Sequence, residues 1–331
     1  MKPLSITVVG AGILGLWQAL TLARKGHRVR LIDQDTKPFQ RAASSHAGAM
    51  LSPGCEGEAA PPLVSELGRH GLALWRTAFT GVISHGSLVV ATARDQPDLV
   101  RFEKMTEGGQ RLSRDGISAL EPDLGDRFAS ALFFADEAHV ITPDALTSLL
   151  SDVYAAGVAV EWMRRLEAAD NSDLIVDCRG LGARDELPTL RGVRGERALV
   201  RAPDVTLNRP VRLLHPRHPL YVVPWPNHRY LIGATMIESE DASPVTVRSA
   251  LELLGAAYAL HPAFGEAEIL ELAAGVRPAF PDNVPRIVVK GDGRLFVNGA
   301  YRHGYLLAPV LAEAVAAFVR DGAGHPLIVR E

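Results

Sequence analysis

The pattern Gly10-x-Gly12-x-x-Gly15 constrains this chain more than any other feature, because of what flanks it. Residues 4–9 are β-branched and apolar and predict a buried parallel strand. Leu16 to Lys25 reads as a helix closed by Gly26, and His27 to Ile32 as a second strand ending at Asp33. Together these make a βαβ unit with a glycine turn at its first junction. In such a turn Gly10 permits the tight reversal and Gly12 lets the backbone approach a pyrophosphate. Gly15 lets the helix pack close to the strand. The N–H groups of Ile13 and Leu14 open the helix at its positive end, where a phosphate binds. Asp33 sits where a carboxylate accepts from ribose hydroxyls and would repel a 2′-phosphate. The fingerprint alone does not separate NAD from FAD. Its place at the N-terminus, with the end of the chain returning to the same domain, favours FAD.

Beyond the first unit, residues 36–62 read as a long loop rich in Ala, Ser, Gly and Pro, and 63–80 as a helix. Short alternating runs from 86 to 140 suggest antiparallel strands, with a helix near 97–107. Helix returns at 143–156, and 158–162 and 173–178 read as strands of the first domain. Residues 193–236 are strand-rich, followed by a helix at 245–259 and a strand at 267–274. The predicted fold is therefore α/β with an α+β insert: a Rossmann-like nucleotide domain from 1–85, 141–190 and 273–331, and an antiparallel-sheet substrate domain from 86–140 and 191–272. The net charge of −3 excludes a global basic field, so neither nucleic acid nor an anionic membrane is an expected partner. No apolar run is long enough for a membrane span, and the N-terminus lacks a signal-peptide pattern, which predicts a cytoplasmic protein. Cys55 and Cys178 are the only cysteines, and no metal-ligand spacing occurs, so no metal is expected.

A second strand-to-helix turn lies near the C-terminus. Leu295 to Gly299 reads as a strand, and a helix follows Ala300 to Pro309, with Pro309 placed in its first turn. N–H groups of His303, Gly304, Tyr305 and Leu306 at that helix start would face negative charge developing on a flavin. Arg302 stands just before them, able to grip a carboxylate bidentately.

Five stretches carry a resemblance that covers nearly the whole chain. They are Val9–Gly15, Ser44–Leu51, Tyr221–Pro224 with Ile232–Met236, Ala274–Pro278, and Arg302–Pro309. The sequence resembles the D-amino-acid-oxidase superfamily of flavoproteins, and within it the glycine oxidases of thiamine biosynthesis. The resemblance implies noncovalent FAD, its pyrophosphate on Gly10, Gly12 and Gly15, its ribose on Asp33, and its flavin lined by Ser44, Ser45, Ala47 and Met50. It implies that Arg302 binds the substrate carboxylate, with Tyr221 hydrogen-bonded to it and Arg277 beside it. Met50, His218 and Met236 would border the pocket. The implied reaction is oxidation of glycine, with sarcosine or a D-amino acid as alternatives in the same fold and an NAD-dependent dehydrogenase as the rival outside it. Implied partners are a small amino acid and oxygen, in a homo-oligomer.

Overall fold

The computed structural model describes residues 2–167, 170–215 and 219–331. Two large sheets organise it. The first has seven strands in the order Ile328–Arg330, Arg286–Val289, Leu295–Asn298, Leu174–Asp177, Ser5–Val9, Arg28–Ile32, Ala159–Glu161. Neighbours run parallel except Arg286–Val289 against Leu295–Asn298. Ile6, Val8 and Val9 of the Ser5–Val9 strand are buried, as a parallel strand covered on both faces requires. Helix Ile13–Arg24 is apolar nearly all round because it is packed between helices Thr142–Ala155 and Gly304–Asp321. It stops where Gly26 takes φ +88° and donates to the Ala23 carbonyl.

The second sheet has eight strands, in the order Glu268–Ala279, Arg191–Arg201, Arg229–Gly233, Leu220–Trp225, Val211–Leu214, Ser87–Ala91, Ser130–Phe134, Gln110–Ser113. Its pairs are antiparallel apart from Val211–Leu214 with Ser87–Ala91. Alternation along each strand separates two faces. One face packs Ala198, Val200, Val222 and Ile232 against Leu253, Ala257 and Leu260 of helix Val247–Leu260. The other carries Arg197, Gly233, Tyr221 and Arg212, which register opposite one another as a single row across four strands. The strand Glu268–Ala279 keeps its ladder with Arg191–Arg201 past the expected boundary at 273 and on to Ala279. That boundary therefore falls inside a strand, because the sheet's hydrogen bonding outlasts the change in sequence pattern.

The long loop at 36–62 holds a 3-10 turn, Ala43–His46, a two-residue strand, Met50–Leu51, paired with Ala138–His139, and a short helix, Pro53–Glu56. Pro309 is not in a first helical turn. The helix starts at Gly304 and Pro309 lies inside it. Its missing N–H leaves the Tyr305 carbonyl without the usual intrahelical donor. Trp75 Nε1, from helix Pro62–Ala78, donates to that carbonyl at 2.6 Å. The tolerance for an interior proline thus comes from a neighbouring helix. Both cysteines are buried free thiols. Among the described residues, no helix is long and apolar enough to cross a membrane.

Candidate active site

A cavity of about 1560 Å³ opens between the C-terminal ends of the parallel strands and the arginine-bearing face of the second sheet. Ligand pockets for one small molecule run to about 300–1,000 Å³, so this space suits a large cofactor together with a substrate. At its nucleotide end the three fingerprint glycines separate by role. Gly10 takes φ +97°, and a Cβ there would stand 2.8 Å from the Cys178 carbonyl oxygen. A Cβ at Gly15 would stand 1.7 Å from the Gly10 carbonyl oxygen, so this glycine lets the helix seat on the turn. Gly12 differs: its φ of −73° suits any residue, and its Cβ would meet nothing closer than Ser44 Oγ at 3.7 Å. No protein atom demands a glycine there, and the space it leaves belongs to the cavity, where a pyrophosphate fits.

Gly10, Gly12, Ile13, Leu14 and Asp33 all line this end. Asp33 accepts from the Ala11 N–H at 2.6 Å and from the Asp35 N–H at 2.8 Å, one bond to each carboxylate oxygen. Each oxygen keeps a lone pair for a ribose hydroxyl. Arg164, Arg165, Leu166 and Glu167 also line the cavity. These four carry no motif and were not singled out from the sequence.

The Ser44–Met50 segment is tied down from both directions. The Ile13 N–H donates to Ser44 Oγ at 3.2 Å, Thr142 Oγ1 donates to the Ala47 carbonyl at 2.6 Å, and Tyr305 Oη donates to the Ser44 carbonyl at 3.1 Å. Ser44, Ala47, Met50, Gly304 and Tyr305 line the cavity. Ser45, His303 and Leu306 do not. Ser45 Oγ turns back to the Ala42 carbonyl at 2.8 Å within its own 3-10 turn. His303 is buried with Nδ1 3.2 Å from Glu56 Oε2, and Leu306 is buried against Gly68 of the neighbouring helix. Gly15 likewise lies under the cavity rather than in its wall.

The substrate end gathers Tyr221, Met236, Arg277 and Arg302 with Met50. His218 lies outside the described residues. The Tyr221 ring sits in a slot between two glycines: a Cβ on Gly48 would be 2.6 Å from Cε2, and one on Gly233 2.6 Å from Oη. Arg277 reaches across Gly195, whose Cβ would stand 2.1 Å from Nη2, and donates to the Thr235 carbonyl at 3.3 Å. Arg302, on the turn into the last helix, places Nη1 3.4 Å from the Met236 sulfur. Among the described residues neither guanidinium has an ion-pair partner. Burial lowers the pKa of Arg277; Tyr221 opposes this and the charge of Arg302 adds to it. Two like charges converge here in an enclosed space, and an anion supplied from outside would relieve both.

Beneath them lies a buried network. Glu56 contacts Arg212 at 3.3 Å and His303 at 3.2 Å. Burial alone would raise the Glu56 pKa, but Arg302, His303 and Arg212 outweigh it and hold the carboxyl below its ordinary range. Glu56 and Arg212 line the cavity, as do Arg197 and His46. No motif marks Glu56, Arg212 or Arg197, and His46 lies within the Ser44–Leu51 stretch with no role assigned to it there. They come together only through sheet register and through the folding of the 36–62 loop.

A family model described as FAD dependent oxidoreductase matches residues 5–318. The chain is 48% identical over 322 residues to a Rhizobium etli protein provisionally named thiamine biosynthesis oxidoreductase ThiO, covering 97% of this chain and 98% of that one. It is 29% identical to a glycine oxidase of Geobacillus kaustophilus, covering 95% and 92%. Its fold superimposes on a glycine oxidase from Bacillus cereus with a TM-score of 0.82, at 23% identity over 97% of this chain and 96% of the other.

Proposed function

The chain belongs to the FAD dependent oxidoreductases, and on that premise we propose that it oxidises glycine, and other small amines bearing a carboxylate, to the imine while dioxygen is reduced to hydrogen peroxide; water then hydrolyses the imine to the oxo acid, glyoxylate in the case of glycine, with release of ammonia or the amine. The reading places this step in the making of the thiamine thiazole, in the cytoplasm, by a homo-oligomer. The observation that carries it is the pair of guanidiniums, Arg277 and Arg302, without a direct ion-pair partner among the described residues, in the same cavity as Tyr221 and the glycine turn.

FAD, held by Gly10, Gly12, Ile13, Leu14 and Asp33 at one end and by the Ser44–Met50 segment at the other, supplies the two-electron acceptor. The protein's share is binding and orientation. Arg302 grips the substrate carboxylate with a planar fork. Tyr221 donates its hydroxyl proton in a hydrogen bond to the same carboxylate, and Arg277 adds charge from the sheet. Met236 lies against Arg302 and Met50 lines the cavity, so thioether surface borders the bound amine. In this reading residues 1–85, 141–190 and 273–331 form the cofactor domain and 86–140 and 191–272 the substrate domain, with Arg277 and Arg302 of the former reaching the substrate. The test is a peroxide assay over glycine, sarcosine and a panel of D- and L-amino acids. Glycine is expected among the good substrates. A much higher kcat/KM for bulky D-amino acids than for glycine would overturn the substrate assignment.

A further inference from the structure

Arg197, Arg212, Arg277 and Arg302 line the part of the cavity that also holds Tyr221 and Met236, and the carboxylate of a glycine-sized substrate answers only two of the four. Arg212 is matched by Glu56. Arg197 is not matched from within. Its side chain is 7% exposed, and its ion pair runs from Nη2 to Glu271 Oε2 at 3.1 Å, a carboxylate that is 48% exposed on the outer side. Its Nε and Nη1 are buried with no hydrogen-bond partner. A guanidinium stays charged at any physiological pH, so leaving those donors unanswered is costly.

Sheet register places Arg197 beside the groups that hold the carboxylate. Arg197 pairs with Gly233, and Gly233 pairs on its far side with Tyr221. Directly opposed residues point to the same face of the sheet. The Tyr221 hydroxyl leans over Gly233, toward the strand that carries Arg197. Strands are about 4.8 Å apart, so the two side chains are neighbours across one glycine. Along its own strand, Arg197 stands two residues, roughly 6.7 Å, beyond Gly195, over which the Arg277 guanidinium lies. His46 faces it from the loop, and burial and then the Arg197 charge lower its pKa against the weaker pull of Glu271.

We propose that Arg197 is a specificity residue: it selects amines that carry a second carboxylate, one or two carbons beyond the amine. This rests on the reading that Arg302, Arg277 and Tyr221 bind the first. The experiment compares kcat/KM on the FAD-loaded enzyme for two isosteric pairs. They are D-aspartate against D-asparagine, and N-(carboxymethyl)glycine against its monoamide. The anionic member of at least one pair is expected to lead by about 30-fold or more, the lower end of what an unanswered buried charge costs. Arg197→Gln should bring that ratio close to one, and Arg197→Lys should keep part of it. FAD content, measured in parallel, reports whether each variant folds. Calorimetric binding of malonate against acetate reads the same preference without turnover. If no amine is oxidised, the substrate reading of the preceding section fails, and the malonate preference and its loss in Arg197→Gln still decide Arg197. A ratio near one in the unaltered enzyme in both pairs, or a ratio unchanged in Arg197→Gln with full FAD, overturns the proposal.

Discussion

Arg302 concentrates the site's dependence on one side chain. It approaches the cavity from a turn and touches the Met236 sulfur, and its charge acts on both Glu56 and Arg277. Losing one partner of a desolvated charge pair costs about 2–5 kcal/mol. Arg302→Ala should therefore lower kcat/KM for glycine by roughly 30- to 5,000-fold. Arg302→Lys should recover only part of this, because an ammonium cannot reproduce a two-pronged grip. FAD content should stay near that of the unaltered protein, since the pyrophosphate turn lies at the other end of the cavity. Steady-state kinetics with flavin occupancy measured in parallel check both variants. A loss under about threefold at full occupancy would remove Arg302 from the site.

At the scale of elements, the contact between helices Pro62–Ala78 and Gly304–Asp321 decides where the Arg302-bearing turn sits. Gly71 brings the two backbones together: a Cβ there would stand 1.9 Å from the Leu306 carbonyl oxygen. Trp75, one turn on, donates to the carbonyl that Pro309 leaves free. Gly71→Ala forces the helices apart and breaks that hydrogen bond, so a loss of about 3 kcal/mol or more is expected, from overpacking together with a buried acceptor left unsatisfied. Urea unfolding of the variant beside the unaltered protein measures it. The same contact shows what a sequence can and cannot display. The βαβ unit was legible because glycines, strand and helix signals and Asp33 lie within one short stretch and act locally. Tyr221, Arg277 and Arg302 were legible through motifs carried by a resemblance. The place of Pro309 was misread because local rules put a proline in a first turn, and the donor that allows it elsewhere is more than two hundred residues away. Arg197, Arg212 and Glu56 gave no signal, since a charged residue in a strand looks like surface until its neighbours across the sheet are known. Ser45, His303 and Leu306 share motifs with residues that line the cavity, yet they lie outside its wall.

At the scale of the whole molecule, the cavity lies between two sheets, and FAD binding there should act on stability as well as on chemistry. A ligand bound only by the folded state stabilises it by about 2.7 kcal/mol at a hundred times its Kd. Gly12 and Gly15 divide that effect. Gly12→Ala meets no protein atom closer than 3.7 Å, so the FAD-free protein should melt near the normal temperature while the upward shift on adding FAD is lost. Gly15→Ala drives a methyl into the Gly10 carbonyl, so the FAD-free protein itself should melt lower. Thermal scans with and without FAD separate the two outcomes, and equal behaviour of the variants would contradict the division of roles. The slot around Tyr221 joins the same two halves, with Gly48 supplied by the flavin-side loop and Gly233 by the arginine-bearing sheet. Its consequence is an inheritance rule. A side chain at either glycine would meet the ring, so a lineage that substitutes either position must move or shed the ring as well.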